Sequence, residues 1–285
     1  MGISECGPRV FAHVRTEVQL GDFKGKRLAV DIASFKQKAW YQDVCSYYRA
    51  NEPATHGYRA TLARLLSVLA AAAGGVSNVT VCLDGGRFPP KSREHDRRGS
   101  TATARAEILA AAEAKDAANQ RKDADYEYHK LAYPPPPFVD AWLIAHCQEH
   151  RIPLVVAPQE ADSQAAQLVR DDRADVLVTI DSDLLFYPGV TQLLLADTKK
   201  AGVWWTVKLA DIVDSQVGTL SFVGFNGFDL RSVAVAAGGD CKPRSRTLTL
   251  TLTLTLTLSL SLSLTLPLTL SLPLNALHRR TARLP

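Results

Sequence analysis

Short apolar runs alternate with stretches of helical periodicity through most of this chain. LAVDI (28–32), VTVCLD (79–84), IPLVVA (152–157) and DVLVTID (175–181) are continuous and rich in β-branched residues, and TQLLLAD (191–197) is a weaker run of the same kind. Unbroken apolar segments of that length predict strands buried on both faces of a parallel sheet. Between the first two, TLARLLSVLAAAA repeats Leu62, Leu65, Leu66 and Leu69 at helical spacing. After the third, EADSQAAQLVR predicts a further helix, with acids in its first turn where the helix dipole favours them. Strand and helix in alternation predict an α/β architecture: a mostly parallel central sheet with helices on both faces.

The pattern changes near residue 243. From Thr247 to Leu274 every even position is Leu, and the odd positions are Thr or Ser apart from Pro267 and Pro273. As one strand this stretch exceeds normal dimensions. As a helix it makes no single apolar face. As a membrane span it is diluted by hydroxyls, although Arg244, Arg246, Arg279 and Arg280 flank it. It reads as a low-complexity tail, disordered or prone to β-aggregation. The expected organisation is therefore a domain over 1–243 and a repeat tail over 244–285.

Composition narrows this picture only slightly. The 285 residues are 46% apolar and 22% charged, ordinary for a globular protein. With 33 Lys and Arg against 29 Asp and Glu, the net charge of +4 permits an anionic partner without demanding one. Cys6, Cys45, Cys82, Cys147 and Cys241 are scattered and never form C-x-x-C, which argues against a disulfide framework or zinc ribbon. MGISECGPRV lacks the apolar region of a secretory signal, and Cys6 stands where a myristoylation motif wants Ser or Thr.

The acids change the picture most. Asp31 closes the first strand and Asp84 the second; Glu160 and Asp162 follow the third; Asp181 and Asp183 follow the fourth. In a parallel sheet these ends share one edge, the edge where α/β proteins build their sites. Carboxylates so gathered repel one another unless cations intervene. Hard oxygen ligands without Cys or His suit Mg²⁺, with Mn²⁺ as a substitute, rather than zinc. Their number suggests two ions about 4 Å apart, as in two-metal nucleases and phosphatases. Any one Asp after a strand is more often a helix cap or turn residue. For Asp84, followed by Gly85 and Gly86, the turn alone would suffice. The repetition over four strands is what favours a metal site.

The ordered set of motifs resembles the XPG-type structure-specific 5′ nucleases, the family of flap endonuclease and exonuclease 1. The matching pieces are Met1-Gly2-Ile3, FKGKRLAVD (23–31), LDGGRFPPKSREHDRR (83–98), APQEADSQAAQLV (157–169), TIDSDLL (179–185) and AGGD (237–240). EAD, DSDLL and ANEPATHGY (50–58) lean toward exonuclease 1. The resemblance implies a PIN-like 5′ nuclease domain whose N-terminal region spans about 1–100 and whose internal region spans about 138–243. It also implies a mobile helical arch over about 91–134. It makes Asp31, Asp84, Glu160, Asp162, Asp181, Asp183 and Asp240 the metal-site carboxylates. Lys91 and Arg98 become the basic pair that engages the scissile phosphate, and Gly2, Lys91 and Arg98 contact DNA. The implied activity is Mg²⁺-dependent 5′–3′ exonuclease or flap cleavage of DNA with 5′ flaps, nicks or recessed ends, in repair, replication or recombination. Nuclear residence and repair or replication proteins as partners follow from the family, and no membrane partner is expected. Read without the family, Lys91 and Arg98 sit in an ordinary solvated charge run, and 91–130 reads as an exposed helix of mixed charge.

Departures qualify the implication. Ser4-Glu5-Cys6 replaces the family's x-Gly-Leu, and Gln37 stands where relatives place a ring that stacks on DNA. After AGGDCKP the family continues into a helix–two-turn–helix that grips duplex backbone, whereas this chain enters its Thr-Leu repeat. Backbone contacts supply most of the affinity for nucleic acid. A chain with the carboxylates and without that grip predicts weak cutting, or binding to DNA structures or a repair partner without cutting. Two rival features read as structural: His146-Cys147-x-x-His150 on a packed helix, and Trp204-Trp205 on a strand facing core and surface in turn. No GxSxG, P-loop or dinucleotide fingerprint occurs.

Overall fold

A computed structural model describes residues 12–50, 57–86, 102–197, 199–213, 215–217 and 220–236, all within the first of the chain's two units, Met1–Pro243. Five strands correspond to the five apolar runs: β2 (Leu28–Asp31), β3 (Val79–Leu83), β4 (Leu154–Val156), β5 (Val176–Thr179) and β6 (Gln192–Ala196). All five run parallel. Two more strands, β1 (Thr16–Val18) and β7 (Trp204–Lys208), extend the β6 edge in antiparallel fashion, giving the order β1-β7-β6-β5-β2-β3-β4.

Each central strand is buried on both faces, which is why its sequence shows no alternation. Leu28 and Val30 pack into one core with Val79, Val81, Val176, Val178 and Leu194. Ala29, Cys82, Leu177 and Leu193, the residues between them, pack into a second core on the opposite face. Helices α1 (Ile32–Ala50) and α2 (Gly57–Ala73) cover the first face. They do so with α5 (Pro137–Glu149), whose Val139, Leu143 and Cys147 are buried there. On the second face lie α6 (Ala161–Arg170), through Ala161, Ala165 and Leu168, the short α7 (Leu209–Val213), through Ile212, and α8 (Gly227–Ala236), through Leu230. The α/β sheet covered on both sides agrees with the reading of the sequence.

Residues 102–130 differ from it. They form two helices, α3 (Ala102–Ala117) and α4 (Arg121–Lys130), separated at Asn119, whose φ of 59° is left-handed. The pair is exposed along most of its length, as expected, but one face packs on the body. Ala112, Ala124, Tyr128 and Leu131 make a third buried cluster against Cys45 and Tyr48 of α1. The Arg49 guanidinium of α1 joins both helices, donating to Asp116 at 2.8 and 3.0 Å and pairing with Asp125 at 2.6 Å, 5.1 Å from the Tyr128 ring centroid. The part of the expected arch that begins at Lys91 lies outside the described residues, as does the repeat tail. Among the described residues no helix is long and apolar enough to cross a membrane.

The candidate metal and nuclease site

Strand order decides where a site can form. From β2 the chain moves outward through β3 to β4, then crosses back to place β5 on the other flank of β2. The β2–β5 seam is thus the point where the winding reverses, the place at the carboxyl ends of the strands where α/β sheets build their sites. Asp31 is the last residue of β2, and Asp181 lies two residues beyond β5. Asp84 follows β3 on the other side of β2, and Glu160 and Asp162 follow β4 at the start of α6. Six of the seven predicted carboxylates therefore lie at carboxyl ends of four neighbouring strands. Asp240, Gly2, Lys91 and Arg98 lie outside the described residues.

Local hydrogen bonds hold these acids. Asp31 is 4% exposed. Its Oδ1 accepts from the Ala33 amide at 3.2 Å, while Oδ2 accepts from Ser34 Oγ at 3.1 Å and from Thr179 Oγ1 at 2.9 Å. Burial, reinforced by the negative charges of Asp162 and Asp84, pushes this carboxyl up to about 7, against the pull of the Thr179 and Ser34 hydrogen bonds. Asp84 accepts from the Ala161 amide at 2.9 Å, which ties the end of β3 to the first turn of α6. Asp162 accepts from the Tyr187 hydroxyl at 2.9 Å. Asp181 caps the 3-10 turn Ser182–Phe186 by accepting from the Asp183 amide at 3.0 Å.

The loop after Asp84 requires glycine. The Gly85 amide donates to the Gln159 carbonyl at 2.6 Å, and a Cβ at Gly85 would lie 1.8 Å from the Ala157 carbonyl oxygen. Only the absence of a side chain lets the β3 and β4 ends approach so closely. The turn reading of Gly85 and the ligand reading of Asp84 are thus compatible, and the turn delivers the acid.

The donor set fits a hard divalent cation: oxygen only, one carboxyl fully buried, and its neighbours near enough to act on it electrostatically. Among the described residues no three Asp, Glu, His or Cys side chains are gathered as a metal-holding group. The rival features resolve as packing. His146 stacks on Trp142, with centroids 4.9 Å apart, and lies 4.3 Å from the His150 ring. Trp204 is buried, while Trp205 donates to Asp197 at 3.0 Å beneath the Arg15 guanidinium. Gln37 donates to the Ala132 carbonyl at 3.1 Å. Three residues of the site were not singled out in the sequence, Thr179, Ser34 and Tyr187. The Thr-x-Asp spacing of TIDSD is the one local signal that points to any of them.

This sheet, with its carboxylates at the switch point, is the PIN-like fold of the 5′ nucleases. The catalytic core of Rad2, solved in complex with DNA substrate, superposes with a TM-score of 0.54 at 18% identity, covering 84% of this chain and 62% of that one. Flap endonuclease-1 from Methanococcus jannaschii superposes with a TM-score of 0.51 at 20% identity, covering 82% of this chain and 71% of that one. Residues 151–240 match the XPG I-region. Exonuclease 1 of Arabidopsis thaliana is 32% identical over 167 residues, 58% of this chain and 21% of that protein. Exonuclease 1 of Drosophila melanogaster is 26% identical over 207 residues, 71% of this chain and 26% of that protein. Over these spans the chain is similar to the XPG I-region and to exonuclease 1. The chain spans about a quarter or less of the length of these two relatives.

Proposed function

We propose that this chain is a divalent-metal-dependent DNA 5′ nuclease, hydrolysing phosphodiester bonds at 5′ flaps, nicks or recessed ends. The observation that carries the reading is the set of acids at four strand ends around the β2–β5 switch point. Asp31, Asp84, Glu160, Asp162, Asp181 and Asp183 would hold two Mg²⁺ ions, with Mn²⁺ able to substitute, and Asp240 would complete the set. When bound, the ions supply positive charge to the attacking and leaving oxygens of the phosphodiester.

The chain's own residues have separate tasks. Ser34 and Thr179 orient the Asp31 carboxylate, and Tyr187 orients Asp162. Lys91, a point charge, and Arg98, a bidentate fork, would grip the oxygens of the scissile phosphate. Residues 1–243 would form the nuclease domain, and nuclear repair, replication or recombination the setting. The Thr-Leu sequence that replaces the family's duplex grip after Pro243 favours a second reading, in which the chain binds DNA structures or a repair protein without cutting.

One assay separates the two. Purified protein is given 5′-flap and recessed duplex substrates with Mg²⁺ or with chelator. Cutting that needs the metal and falls at least about a hundredfold in Asp181→Asn supports the nuclease. Asn still caps a helical turn, so the variant keeps its local fold. Shifted bands without cutting would replace this reading with the second.

A further inference from the structure

The seam between β2 and β5 carries a side chain whose bonds cross it. The backbone ladder pairs Leu28 with Val176, Ala29 with Leu177 and Val30 with Val178, and stops there. The next residues in register are Asp31 and Thr179, each the last of its strand. Thr179 has no solvent exposure. Its Oγ1 lies 2.9 Å from Asp31 Oδ2 and 3.0 Å from the Asp181 amide nitrogen.

The direction of both bonds is fixed. A backbone N–H can only donate, so the hydroxyl accepts from Asp181 and its single proton is left for Asp31. One oxygen thus ties the carboxylate ending β2 to the backbone that carries Asp181. The remaining contacts of Asp31, to the Ala33 amide and Ser34 Oγ, come from its own helix. They orient the carboxylate but set no distance across the seam. A threonine serving only the sheet would satisfy backbone groups; this one spends its proton on a side chain of the candidate site.

We propose that Thr179 is a positioning residue: its hydroxyl sets the placement of Asp31 relative to Asp181 and so preorganises both for a divalent cation. This rests on the reading of those acids as metal ligands. Hydrogen-bond partners behind a ligand fix its orientation, and their loss typically costs about 10- to 100-fold in metal affinity.

The test uses the full chain, without DNA, and reads Mn²⁺ binding from the electron paramagnetic resonance signal of the free ion. Thr179→Val keeps the branched shape and loses the hydroxyl; Thr179→Ser keeps the hydroxyl and loses the methyl. The Val variant is expected to bind Mn²⁺ about tenfold or more weakly, and the Ser variant within about threefold of the parent. If Val fails to fold, as judged by circular dichroism, Thr179→Ala compared with Ser isolates the hydroxyl in the same way. Parent-like affinity in the hydroxyl-free variant, or a loss in Ser as large as in Val, overturns the positioning role while the metal site stands. A parent chain that binds no Mn²⁺ overturns the metal site, and the role of Thr179 with it.

Discussion

A charged side chain is informative when its partners can be named. At the end of the seam remote from the acids, the Asp175 carboxylate accepts from the Arg27 amide at 2.7 Å and from the Arg27 guanidinium at 2.7 and 3.3 Å. The side-chain bond, then the amide bond, holds its pKa down at about 2, from an ordinary value of 3.8. A depressed folded-state value adds stability that is fully present above the unfolded pKa and is lost as pH falls through the folded one. Asp175→Asn should therefore melt lower than the parent at pH 7, with the difference shrinking between about pH 4 and pH 2. A difference independent of pH would show that the charge of Asp175 does not contribute. Asp31 was legible in the sequence because it ends an apolar run. The hydroxyl that reaches it was not, because Thr179 lies 148 residues away in the chain.

At the scale of elements, the contrast between the five parallel strands and the α3–α4 pair is a contrast of signals. A strand buried on both faces is written in its own residues, so β2, β3 and β5 could be placed from sequence; β6 and the half-exposed edge strand β4 were placed by their apolar runs alone. The edge strand β1 has only three residues, Thr16 and Glu17 among them exposed, and leaves no apolar run to find. Helices α3 and α4 look solvated because what buries them comes from α1, many residues earlier. Arg49 reaches Asp116 across 67 residues. Removing that fork should free the pair from the body. Arg49→Ala is expected to destabilise by about 2 kcal/mol, the scale of a charged hydrogen bond lost from a half-buried site. Amides of 102–130 should exchange faster, with the sheet unaffected. Lysine should restore little, since it cannot bond Asp116 through two nitrogens at once. Uniform exchange throughout the domain would show that Arg49 supports the whole fold instead.

For the whole molecule, the change at residue 243 is the main division. Every described element lies before it, and both cores close among residues 14–230. A fragment ending at Pro243 should therefore melt cooperatively, within about two degrees of the full chain, since one kcal/mol moves the midpoint of a domain of this size by about 2–4 °C. A midpoint several degrees lower would assign the Thr-Leu sequence a part in the fold. The family resemblance rests on motifs spread along 1–243, and those that fall on described residues, ending in Asp31, starting at Asp84, around Glu160 and around Asp181, lie at strand ends. Lys91 and Arg98, whose phosphate-gripping role is proposed from the resemblance, had no such anchor in the pattern of the chain.

The seam has a further consequence in time. Joining Asp31 to Thr179 closes a loop of 148 residues, and long-range closures are slow and form only after nearer contacts have reduced the entropy to be lost. On a ribosome, β2, β3 and β4 emerge well before β5, so the first acids wait in an incomplete cleft while the strand that finishes it is still unmade. The capacity to hold a cation, and with it any capacity to cut, would arrive late, once the sheet has been threaded through its centre.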